Sequence, residues 1–175
     1  MTRVLAIDPG TRSTGVALVD DRGVLWTTTI RFKEPCGTDN EAIFHRASEI
    51  VEALLLSVDF KDCDVVVMEG YEPFVTNGRV NATAATQLPI LVGWLGYFLQ
   101  DAPVLHVQYS REVLGNARGS IYGIYHIATR NKTPEQCRLD LMARVPGGEL
   151  CRTDHERAAA AHALWYLHED MTLFD

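Results

Sequence analysis

Three places in the sequence carry residue types from which metal-assisted chemistry is built. Asp8 ends the apolar run VLAID and is followed by Pro9-Gly10-Thr11, a turn that stops strand pairing and leaves the carboxylate at a sheet edge. Glu69 ends a second apolar run, VVVMEG, where a charge at a buried strand end is costly without a partner. Taken singly, the first is an ordinary turn aspartate and the second an acid leaving for solvent. If the two strands are neighbours, both carboxylates converge and repel; a hard divalent ion such as Mg²⁺ relieves that repulsion and favours carboxylate oxygen. The third place is RTDHERAAAAHALW, Arg152 to Trp165, which opens with Asp154, His155 and Glu156 and then drops into four alanines, with nothing ionisable at position 158. Residues three apart on a helix share a face, so His155 and Ala158 would point the same way. A histidine in a first helical turn is commonly solvent-facing; as neutral imidazole it can bind a metal and as a cation it can contact phosphate, and these readings stay open. His162 and His168 read as structural or exposed.

The elements that must position these residues follow from periodicity and turn chemistry. VLAID, GVALVD and VLWTTTIRF, joined by PGTRST and by an Asp-Arg-Gly turn, predict a three-stranded antiparallel meander. Asn40 to Val58 repeats apolar residues at helical spacing behind Asp39 or Thr38 as cap. CDVVVMEG predicts a strand buried on both faces in a partly parallel sheet. The uncharged segment reaching Gln100 predicts a second helix and APVLHVQY another strand. Thr133 to Ala143 predicts a helix with Thr133 as cap and Pro134 at its first position, and Asp154 to His168 a last helix capped by Thr153 or Asp154. Gly115 to Asn131 gives only weak signal and reads as irregular. The order implies an α/β fold with a mixed five-stranded sheet flanked by helices, its acids at strand ends.

Composition bounds the function. A chain of 175 residues is the size of one domain, and we expect residues 1–175 to form one. Cys36, Cys63, Cys137 and Cys151 show no CxxC pairing, and the N-terminus lacks the pattern of a secretory signal; both suit a cytosolic protein with reduced thiols. No charge falls between Arg79 and Asp101, but Asn81, Thr83, Thr86, Gln87 and Pro89 interrupt that segment, so a buried helix or subunit interface is expected and no membrane span. The net charge of −7 argues against a protein that coats nucleic acid by bulk attraction. Its distribution says more: Tyr109 to Arg144 holds six Lys or Arg against three Asp or Glu, a basic segment in an acidic chain. That suits a metal-dependent enzyme acting on a polyanion, although such a segment is more often a solvated surface.

IDPGTRSTGVALVD, VVVMEG and DHERAAAAHALW, in this order and spacing, resemble the active-site segments of the RuvC-type Holliday junction resolvases, especially their phage relatives, within the RNase H-like nuclease superfamily. The resemblance runs from Val4 to about Leu167. It implies an RNase H-like fold and a structure-selective endodeoxyribonuclease that cleaves four-way and other branched DNA in recombination, repair or phage DNA processing, in the cytoplasm of a bacterial or phage-infected cell. It further implies two Mg²⁺ or Mn²⁺ ions per site, about 3.5–4 Å apart, and no organic cofactor. Asp8 would bridge both ions, Glu69 would hold one, and His155 with the residue at 158 would hold or position the other. The family's pattern has aspartate where this chain has Ala158. We read that as an Asp→Ala change that stops cutting while leaving the helix intact; the alternative is a natural variant in which Asp154 or Glu156 substitutes. Tyr71 and Phe74, in the place where the family inserts residues into the junction centre, would stack on bases, with core packing as the plain alternative. Arg79, Arg111, Arg118, Arg130 and Lys132 would contact phosphate.

Two symmetric cuts across a four-way branch imply a homodimer. Leu88, Ile90, Leu91, Trp94, Leu95 and Phe98 would supply its contact or else fill the core, with Gly93 and Gly96 allowing close approach. Two other classes compete. The first segment also resembles the phosphate loop of actin-like ATPases, but the chain has neither room for two lobes nor a second DxG-type turn. A catalytically silent junction-binding protein would carry Ala158 natively.

Overall fold

The computed structural model describes residues 1–59, 62–71, 82–101, 104–109, 113–114 and 120–172. Among them, five strands form one sheet: β1 (Val4–Asp8), β2 (Ser13–Asp20), β3 (Gly23–Arg31), β4 (Val65–Gly70) and β5 (Leu105–Tyr109). Their spatial order is β3-β2-β1-β4-β5. The first three form the antiparallel meander, and β4 joins β1 and β5 in parallel, so the sheet is mixed as expected. The helices are α1 (Asn40–Ser57), α2 (Ala82–Phe98), α3 (Ile121–Ile124), α4 (Pro134–Met142) and α5 (Asp154–Thr172). The caps are those the sequence offers: the Asp39 side chain accepts from the Ala42 amide, and Thr133 from that of Gln136. The segment Gly115 to Asn131, expected to be irregular, contains the single helical turn α3. A 3₁₀ turn at Gly148–Leu150, also unforeseen, precedes α5.

Side chains alternate along each strand, so the sheet divides the core in two. Leu5, Ile7, Val16, Val66 and Met68 face α1 and α2; there Leu91 and Leu95 are fully buried and Leu88, Ile90, Trp94 and Phe98 half-buried. The apolar face of α2 is thus spent largely on the core. A Cβ at Gly93 or Gly96 would meet nothing within 4 Å, so no contact inside the described chain demands glycine there. No helix is long and apolar enough to cross a membrane among the described residues. On the other face, Val4, Ala6, Ala17, Val19, Val65 and Val67 meet α3, α4 and α5.

Helix α5 lies very close to this second face, and its alanine run explains how. Ala159, Ala160, Ala161 and Ala163 are all fully buried. Side chains this small let the helix backbone approach β2, where Gly15 completes the fit: a Cβ on Gly15 would lie 2.2 Å from the His155 carbonyl oxygen. Backbone cannot yield as a flexible side chain does, so α5 would have to lift. Gly15→Ala is therefore expected to lower stability by about 1–3 kcal/mol, the usual cost of overpacking, in a urea titration followed by circular dichroism; a change below about 0.5 kcal/mol would show that the fit is looser than described.

Candidate active site

The strand registers place one row of residues across the sheet on the face covered by α5. Thr29 pairs with Gly15, Gly15 with Asp8, and Glu69 with Gln108. Ile7 pairs with Met68, so the next step along the parallel pair sets Asp8 beside Glu69 at the carboxyl ends of β1 and β4. The turn after Asp8 is held from two sides. Thr14 Oγ1 donates to the Gly10 carbonyl at 3.2 Å and accepts from the Gly10 amide at 3.3 Å. The buried Arg46 guanidinium of α1 donates to the Thr11 carbonyl at 2.6 Å and packs over the Phe32 ring.

Helix α5 follows this row. The Asp8 Oδ2 atom lies 2.7 Å from His155 Nδ1, and Glu69 Oε2 lies 3.6 Å from His162 Nε2. Gln108 Oε1 is 3.1 Å from His162 Nδ1. Asp8 and Glu69 are close enough for a carboxyl–carboxyl hydrogen bond, and both are largely buried. Burial pushes the Asp8 carboxyl up to about 7; the hydrogen bond from His155 opposes this, and the charge of Glu69 adds to it. The hydrogen bond to Asp8 in turn raises the His155 imidazole above its ordinary range, against partial burial.

The structure thus brings Asp8, Glu69 and His155 together. Ala158 is buried on the same helix and adds no donor. Asp154 and Glu156, the other acids of this helical turn, are both engaged by other groups. Asp154 is engaged by Arg138, whose Nε donates to Oδ1 at 2.7 Å and whose Nη2 donates to Oδ2. Glu156 turns the other way, toward β3: it accepts from the amides of Arg152 at 2.6 Å and Thr153 at 3.2 Å and from Thr29 Oγ1 at 2.7 Å. Thr153 Oγ1 accepts in return from the Glu156 amide, so Thr153-x-x-Glu156 is a capping box fused to the sheet. His162 is fully buried and so not exposed, while His168 is half-buried.

Of the residues expected to meet DNA, Tyr71 is half-buried directly after β4. Phe74, Arg79, Arg111 and Arg118 lie outside the described residues. Lys132 is ion-paired with Asp140 on α4, and Arg130 is exposed. His162 and Gln108 were not among the expected site residues. Two signals pointed to them: His162 stands two turns after His155 on one helix face, and Gln108 is a polar residue near the end of an apolar strand.

Among the described residues, no group of three or more His, Cys, Asp or Glu side chains is arranged to hold a metal ion. The donor set instead suits an open site. Two adjoining buried carboxylates repel unless a proton or cation lies between them, and a hard divalent ion is commonly held by one or two carboxylates, with water and substrate phosphate completing its shell.

No protein-family model and no curated sequence matches the chain. Solved structures do. The chain is similar to Thermus thermophilus RuvC in complex with Holliday junction substrate, with 15% identity and a TM-score of 0.58, over 98% of this chain and 96% of that one. It is also similar to the yeast mitochondrial Holliday junction resolvase Ydc2, with 13% identity and a TM-score of 0.68, over 99% of this chain and 80% of that one. At such identities the likeness establishes the fold, the RNase H-like fold of RuvC-type proteins.

Glu156 gives the site's support a pH signature. Its hydrogen bonds hold its carboxyl below the usual 4.5 despite the opposing effect of burial. A depressed folded-state pKa contributes stability that is full above 4.5 and is lost as pH falls through the folded value. Glu156→Gln should therefore cost about 2 kcal/mol at pH 7, with the gap to the unaltered protein narrowing below pH 4.5 in urea titrations; a gap independent of pH would contradict the assignment.

Proposed function

We propose that this protein is a metal-dependent endodeoxyribonuclease directed at four-way and related branched DNA, acting as a homodimer. The observation that carries the reading is the meeting of Asp8, Glu69 and His155 at the carboxyl ends of two adjacent parallel strands. The fold is one that RuvC, in complex with a Holliday junction, also has. Asp8 and Glu69 would hold Mg²⁺ or Mn²⁺, two ions when the site is complete; bound there, the metal supplies positive charge that activates water and stabilises the leaving oxygen in phosphodiester hydrolysis. His155 holds the Asp8 carboxylate in place through Nδ1, and its ring remains partly exposed, within reach of a phosphate.

Ala158 sets the activity of the chain as it stands. With aspartate at that position a third carboxylate would join the pair from α5; with alanine the chain keeps its binding surface and loses most of its turnover. Tyr71, together with Phe74, Arg79, Arg111 and Arg118, belongs to the proposed DNA surface; Lys132 would exchange Asp140 for phosphate. A second copy would place a second site across the junction, and the exposed Tyr97, beside half-buried Trp94 and Phe98 on α2, is the apolar patch we assign to that contact. Ala158 equally favours one other reading, a junction-binding protein with no cutting role.

Ala158→Asp should cleave a synthetic four-way junction in Mg²⁺ or Mn²⁺ at least about 100-fold faster than the unaltered chain, as expected for a group acting on transition-state charge; equal inactivity of both proteins would favour the silent binder. The unaltered chain should shift four-way DNA in a gel at lower concentration than linear duplex of equal length. Equal affinity for both would defeat the substrate assignment.

A further inference from the structure

Resting on the metal-site reading above, we infer that His162 supplies through Nε2 a nitrogen ligand that keeps a divalent cation bound beside Glu69 although position 158 offers none. His162 is completely buried, yet among the described residues its Nε2 has no hydrogen-bond partner. A buried ring nitrogen left unsatisfied is costly unless something absent from the polypeptide occupies it. It faces Glu69 Oε2 at 3.6 Å, too long for a hydrogen bond and wide enough for a cation shared by the two atoms.

The other side of the ring sets which nitrogen carries the hydrogen in the neutral imidazole. Gln108 Oε1 is an acceptor, so His162 Nδ1 carries the hydrogen and donates across 3.1 Å. In the neutral ring Nε2 then presents a lone pair toward a carboxylate oxygen, and two lone pairs facing each other repel. This is the arrangement of a metal-bound histidine, whose second nitrogen donates to a carbonyl that fixes its tautomer and orientation. The strand register sets the device: Glu69 and Gln108 are direct neighbours on β4 and β5, so one imidazole reaches both.

Helix geometry relates this to the missing acid. His162 stands four residues beyond Ala158 and seven beyond His155, on one helix face, with the alanine between the two rings. Loss of a carboxylate at 158 therefore leaves two imidazoles flanking two carboxylates. Imidazole nitrogen suits transition ions better than Mg²⁺, which makes Mn²⁺ the appropriate probe.

The test is pulsed electron paramagnetic resonance of the unaltered protein loaded with Mn²⁺, with calorimetric titration of Mn²⁺ into it and into His162→Gln. The expected spectrum shows an imidazole nitrogen coupled to the ion that is lost in His162→Gln and kept in His155→Gln, together with a 10-fold or greater loss of Mn²⁺ affinity in His162→Gln, the order of effect seen for groups around a metal. No coupled imidazole nitrogen in the unaltered protein, or unchanged affinity in His162→Gln, would overturn the inference and leave His162 a structural partner of Glu69. Should His162→Gln fail to fold, the coupled nitrogen and its survival in His155→Gln decide alone. A His162 nitrogen in a protein that shows no preference for four-way DNA would keep this site and defeat the DNA reading; no coupled nitrogen with junction preference intact would do the reverse.

Discussion

Two carboxylates that repel are held side by side at the ends of neighbouring parallel strands, and the surrounding structure makes sense as the means of keeping them there. Asp8 and Glu69 are adjacent because β1 and β4 run in the same direction with Ile7 opposite Met68. A one-residue slip of β4 would carry Glu69 off the face that α5 covers and into the apolar layer of Leu5, Ile7 and Met68, so the register is held. Burial raises the Asp8 carboxyl to about 7, and the charge of Glu69 adds to that rise.

Helix α5 is the second half of the arrangement. It is pinned at its entrance by the Thr153–Glu156 capping box, which hydrogen-bonds to Thr29 on β3. It is seated by four buried alanines and by Gly15. Those constraints set the height at which His155 meets Asp8 and His162 meets Glu69. Ala158, buried like the alanines that follow it, belongs to the same packing pattern. Asp154 and Glu156, the acids in the first turn of the same helix, hold Arg138 and the helix entrance.

Much of this was legible along the chain because it is written in local signals. Turn residues after VLAID, the unbroken apolar run before Glu69, and the Asp39 and Thr133 caps each act over a few residues, and the strands and helices follow. The placement of Asp8 and Glu69 at strand ends was legible for the same reason. What escaped was long-range or too short to carry a period. Gln108 and His162 are 54 residues apart and meet only through the pairing of β4 with β5. The turn Ile121–Ile124 is shorter than one helical repeat of hydrophobicity can reveal. The purpose of Glu156 could have been read from Thr-x-x-Glu at a helix start, but its proximity to His155 made it look like a substitute ligand.

The central claim is that the Asp8–Glu69 pair is a cation site. Calorimetric titration of Mg²⁺ and Mn²⁺ into the unaltered protein and into Asp8→Asn, with no DNA present, tests it most directly. Saturable binding to the unaltered protein is expected, weakening at least about tenfold when the charge of Asp8 is removed. Equal binding by both proteins, or none by the unaltered one, would contradict it.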